Sequence, residues 1–107
     1  MMKKYKSLLV LVLCLAMLPV LTGCTASMTY RKAHNLYNTG DYLEAIEIFE
    51  ELGDYSDSKI MLDACYYELG REAMLEKQWQ KAIDYFEKSN YHGAPEKIQE
   101  CKNKLAQ

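Results

Sequence analysis

The stretch Gly40-Asp-Tyr-Leu-Glu-Ala-Ile-Glu-Ile-Phe-Glu50 decides how the chain is read, because it returns as Lys77-Gln-Trp-Gln-Lys-Ala-Ile-Asp-Tyr-Phe-Glu87. Aromatic Tyr42 matches Trp79, Ala45 matches Ala82, Ile46 matches Ile83, Phe49 matches Phe86 and Glu50 matches Glu87, all 37 residues apart. Further on, Tyr55 matches Tyr91, Leu62 matches Ile98 and Cys65 matches Cys101, now 36 apart. One residue has been lost between helices, near Gly53, where a loop absorbs it. Within the first copy Leu43, Ile46, Phe49 and Leu52 recur at steps of three, so they share one face of a helix. Ala82, Ile83 and Phe86 do the same in the second.

Working outward, Asp57 or Ser56 is placed to cap a long third helix running to about Glu76. Its apolar residues (Ile60, Met61, Ala64, Cys65, Tyr67 and Met74) spread around much of the circumference, which suits a helix packed on both sides. Pro95 sits where a first helical turn accepts it and opens a last helix with Ile98, Cys101 and Leu105 inward. The pattern predicts an all-α chain of five antiparallel helices at about 28–39, 42–52, 57–76, 79–90 and 94–106. The last is apolar on one narrow stripe and polar elsewhere, the way a repeat array is capped.

The period and these residues resemble the tetratricopeptide repeat, a helix-turn-helix unit of about 34 residues. Ala33 and Leu36 resemble the small and large packing positions of its first helix, Gly40-Asp41-Tyr42 its turn, and Ala45 and Phe49 the close-packed positions of its second. The corner Leu52-Gly-Asp-Tyr-Ser-Asp-Ser-Lys59 is similar to one that joins successive units in bacterial repeat proteins. The pattern departs at Lys77, where a turn glycine is usual, and at Lys32, where a large apolar residue is. The resemblance implies a short α-solenoid over residues 29–107.

Ahead of it lies a different kind of segment. Lys3, Lys4 and Lys6 precede an apolar run from Leu8 to Leu21, the n-region and h-region of a secretory signal. The run falls short of the roughly 18 residues of a spanning helix, and Pro19 interrupts it. An uncleaved anchor helix is the competing reading. Directly after the run, Leu21-Thr22-Gly23-Cys24 resembles the lipobox of bacterial lipoproteins. That resemblance implies a cleaved signal peptide at 1–23, a fatty-acylated Cys24 with a short tether at 24–28, and a domain held to the extracytoplasmic side of the cell membrane. Each buried methylene contributes about 0.8 kcal/mol, so a diacylglyceryl group anchors where a single chain holds only marginally.

Loss of the three signal lysines leaves 10 Lys and Arg against 15 Asp and Glu, a net charge near −5. Such a domain is a poor partner for nucleic acid or an anionic lipid surface, both of which call for basic patches. Cys65 and Cys101 remain as thiols. An oxidising compartment permits a disulfide between them. Helices packed at about 8–10 Å would hold equivalent positions of adjacent units beyond the roughly 7 Å that a disulfide tolerates, which favours two buried thiols.

No constellation for catalysis, metal or cofactor emerges. His34 and His92 have no metal-ligand spacing, Ser56 and Ser58 belong to a turn without a nucleophile motif, and Asp54 and Asp57 lack the rest of a calcium loop. The chain reads as a non-enzyme without cofactor. Tyr42, Trp79, Phe49 and Phe86 match across units and are assigned to packing. Tyr30, Tyr37, Tyr66 and Tyr67 have less clear duties and form the candidate ligand-binding face, since aromatic side chains give large contact area with a polar tip. The expected role is protein or peptide binding at the cell envelope, with a structural role through self-association as the alternative.

Overall fold

The computed structural model describes residues 25–107, so the signal-type segment and Cys24 lie outside the described residues. The described residues are all-helical, without strands. Five helices follow one another: α1 over 25–38, α2 over Tyr42–Leu52, α3 over Ser58–Leu75, α4 over Trp79–Glu87 and α5 over Ala94–Leu105. Residues 25–28, expected as a tether, run without a break into α1. No glycine or proline interrupts them, and the Thr29 hydroxyl donates back to the Thr25 carbonyl at 2.7 Å, a bond made inside a helix.

α3 packs against α2 and α4, and α4 packs against α5. The core falls into two clusters. One joins Ala33, Ala45, Ile46, Phe49, Cys65 and Leu69; the other joins Ala73, Ala82, Ile83, Phe86, Ala94 and Cys101. Phe49 and Phe86, with Ala45 and Ala82 beside them, are fully buried. The residues that repeat in sequence therefore occupy equivalent places. Both thiols are free and fully buried, one in each cluster.

The equivalence reaches into the turns. The Gly40 amide donates to the Tyr37 carbonyl and the Asp41 amide to that of Leu36, at 3.1 and 2.8 Å. The Lys77 amide donates to Met74 and that of Gln78 to Ala73, both at 2.9 Å. This pair of bonds closes a helix through one residue in the left-handed region. Gly40 has φ +87 and Lys77 has φ +59, so the lysine adopts the conformation that a glycine takes in the first unit.

Where the pattern misplaced residues, the other unit explains why. Leu43 was expected on the buried face of α2 but is 62% exposed; its counterpart 37 residues on is Gln80. Ile60 is 65% exposed, and its counterpart 36 residues on is Glu96. Leu105, expected inward, is 51% exposed because it is the last helical residue of α5, with no further turn to press it on a neighbour. α4 ends at Glu87 rather than near 90. There the Ser89 hydroxyl leaves the helical pattern to donate to the Asp63 carbonyl of α3 at 2.6 Å, and it accepts from the Tyr91 amide at 3.1 Å. Neither Asp57 nor Ser56 caps α3 through its side chain: Asp57 makes no such bond, and Ser56 has φ +51. Ser58 closes the preceding turn without capping the helix, its amide and hydroxyl both donating to the Tyr55 carbonyl at 3.1 and 2.5 Å.

Candidate functional site

The four candidate tyrosines divide between the two clusters: Tyr30, Tyr37 and Tyr66 pack against the first and Tyr67 against the second. Tyr30 lies edge-on to Phe49, with centroids 6.2 Å apart, and edge-on to Tyr55 at 5.7 Å. Tyr67 stands in the same relation to Phe86 at 5.5 Å and stacks at a tilt on Tyr91 at 4.7 Å. Tyr30 and Tyr67 are 37 residues apart, so both belong to the repeat. Sequence comparison passed over this pair because the neighbouring residues of α1 and α3 differ in type. The Tyr30 hydroxyl donates to Asp57 at the start of α3 and meets His34 Nε2 at 2.7 Å. That bond to Asp57, then burial, holds the Tyr30 proton more tightly than usual.

Tyr37 and Tyr66 are half-buried, as Tyr30 and Tyr67 are. Tyr37 packs edge-on against Tyr42 at 5.4 Å. Burial raises the pKa of both phenols, and the Glu68 carboxylate adds to it. The Tyr66 hydroxyl donates to Glu50 at 3.2 Å, and the Lys88 ammonium stands 5.7 Å over its ring. Burial first, and then Glu50, raises its pKa. All three therefore stay neutral across the physiological range, offering hydroxyl donors without charge.

Two open concavities flank the C-terminal half of α3. One, of about 280 Å³, lies at the α1–α2 turn between Asp41, Tyr42, Leu43, Glu44, Leu69 and Glu72. The other, of about 270 Å³, lies toward α5 between Glu68, Arg71, Glu72, Met74, Leu75 and Lys97. Glu72 borders both. Each is smaller than the roughly 300–1,000 Å³ of sites that enclose a small molecule. Leu75, at 85% exposed, is the most exposed large apolar residue described. Arg71 Nη1 reaches Glu68 at 3.2 Å, and Lys97 reaches Glu100 at 3.7 Å.

These lining residues escaped the sequence reading because charged residues on a helix normally mark a solvated face. The available signal was Leu75 itself, whose counterpart 37 residues earlier is the polar Asn38. Among the described residues, no three His, Cys, Asp or Glu side chains gather to hold a metal ion, and no helix is long and apolar enough to cross a membrane. No family model matches the chain, and neither a curated protein nor a solved structure matches it.

Proposed function

We propose that the chain is a membrane-anchored lipoprotein, acylated on Cys24, whose tetratricopeptide-like helical repeat binds a protein or peptide at the cell envelope. The anchor rests on Leu21-Thr22-Gly23-Cys24 following a charged and an apolar segment of signal length. The repeat type rests on the 37- and 36-residue correspondences and on their equal environments in the two clusters. The observation that carries binding is Leu75, left almost bare beside a concavity that also offers Met74, Glu68 and Arg71. A protein contact surface has an apolar centre and a polar rim, and here Leu75 with Met74 supplies the centre while Glu68, Arg71, Glu72 and Lys97 supply the rim.

Two measurements test the reading. Labelled fatty acid should enter the wild-type protein and be absent from Cys24→Ala. A photoreactive residue at position 75, in protein on its native membrane, should join one distinct partner. Arg71→Ala should suppress that adduct while the unfolding midpoint stays close to the wild-type value, because Arg71 is exposed and its ion pair with Glu68 lies at the surface. Diffuse labelling, indifferent to Arg71→Ala, would remove the binding role.

A further inference from the structure

We infer that the concavity at the α1–α2 turn receives the C-terminal end of α5 from a second copy of the chain. The concavity has an apolar side, formed by Tyr42, Leu43 and Leu69, and a rim of Asp41, Glu44 and Glu72. None of those three carboxylates forms an ion pair among the described residues. α2 as a whole carries Glu44, Glu47, Glu50 and Glu51 and no lysine or arginine.

The opposite feature closes α5. Lys102 and Lys104 lie in its last turn, likewise without an ion pair among the described residues, and Leu105 follows them at 51% exposed. Lysines there offset the negative end of the helix dipole, which accounts for the charges but not for the bare leucine. An exposed leucine beside unpaired ammonium groups is the complement of an exposed leucine beside unpaired carboxylates. Each surface supplies what the other lacks, and complementary charge of this kind sets register and partner choice.

The positions are also compatible with one another. The Tyr30 hydroxyl bonds Asp57, so the starts of α1 and α3 lie together, and Asn90 donates its amide to Asp63 in the first half of α3. The turns at 39–41 and 76–78 and the end of α5 therefore lie toward the other end. The receiving concavity and the Leu105 end both lie away from the N-terminus. A head-to-tail contact between copies displaced sideways keeps every α1 start on one side. That last point rests on the anchored reading, which it suits because all anchors then enter one membrane. Such a contact uses different patches on the two copies, the heterologous kind that builds rings or open chains.

The test uses full-length protein extracted in mild detergent, with isotope-labelled and unlabelled copies mixed and then treated with a zero-length carboxyl–amine coupler. Mixed-isotope cross-links should join Lys102 or Lys104 to Asp41, Glu44 or Glu72. Because charge reversal also removes the coupled groups, its effect is read on association itself, as the fraction of oligomer in a sedimentation profile. Lys102→Glu with Lys104→Glu should lower that fraction about tenfold, and so should Glu44→Lys with Glu72→Lys, since each 1.4 kcal/mol is a factor of about ten. A mixture of the two double variants pairs opposite charges again and should restore the wild-type fraction. Absence of mixed-isotope links, indifference to reversal, or a mixture as low as its parts would overturn the contact. The intact mass of the same sample reads the anchor separately: a chain without lipid that still cross-links contradicts the anchor alone.

Discussion

Lys77 and Gly70 show how a single residue can hide or reveal the repeat. Lys77 holds a left-handed backbone angle that costs an L-residue about 1–2 kcal/mol, against a smaller entropic cost for glycine. Lys77→Gly should therefore raise stability by about 0.5–1 kcal/mol, read as a higher urea midpoint. Gly70 is the reverse case. It stands 37 residues after Ala33, in the middle of α3, and a Cβ there would meet the Phe86 ring at 2.6 Å. Gly70→Ala should destabilise despite the better helix propensity of alanine, because overpacking typically costs about 1–3 kcal/mol. An unchanged midpoint would mean that Phe86 gives way more easily than its burial suggests. Lys77 was legible as the counterpart of Gly40 through the residues that follow it, whereas Gly70 was not legible as the counterpart of Ala33, because the residues around the two differ in type. The exposure of Leu43 was legible from Gln80 but outweighed by the apolar spacing within its own helix.

At the scale of elements, α3 organises the molecule. Its 18 residues bury Cys65 and Leu69 in one cluster and Ala73 in the other, and this double duty explains why its apolar residues follow no single stripe. The spread around the circumference was visible in the sequence, as were all five helices and most of their bounds. The starts of α2 to α5 fall within one residue of those expected, although none of these helices begins with a side-chain cap; α1 begins three residues earlier than expected. The end of α4 departs most, and it is fixed by a contact between distant residues that a local pattern does not contain. Ser89 illustrates this by tying the α4–α5 link to Asp63 of α3, 26 residues away. Ser89→Ala should cost about 1–2 kcal/mol by leaving the Asp63 carbonyl and Tyr91 amide without that partner. A loss below a few tenths would place the α4–α5 link on other contacts. The candidate site was less legible than the helices. Tyr30, Tyr37 and Tyr66 pack against one core cluster and Tyr67 against the other, whereas Leu75 and Glu72 border surfaces that exist only once α2, α3 and α5 are brought together.

For the whole molecule, the buried thiols connect packing, pH and the proposed processing. Burial pushes the Cys65 thiol up to about 12 and raises that of Cys101 as well. A folded-state pKa above the unfolded value contributes stability that is complete below the unfolded pKa, near 8.5–9 for a thiol. That contribution is lost as pH rises through the window from about 9 to about 12, so the unfolding midpoint should fall there. Cys65→Ala should remove much of that alkaline slope. The most direct test of the molecule as a whole is an intact-mass thiol count on protein extracted from membranes, labelled first in native buffer and then in denaturant. The expected result is a chain beginning at an acylated Cys24, with no rapid native label and two labels after unfolding, on Cys65 and Cys101. Four labels, with Cys14 and Cys24 among them, would contradict processing and acylation together; rapid native labelling or a disulfide between Cys65 and Cys101 would contradict the packing of the two units.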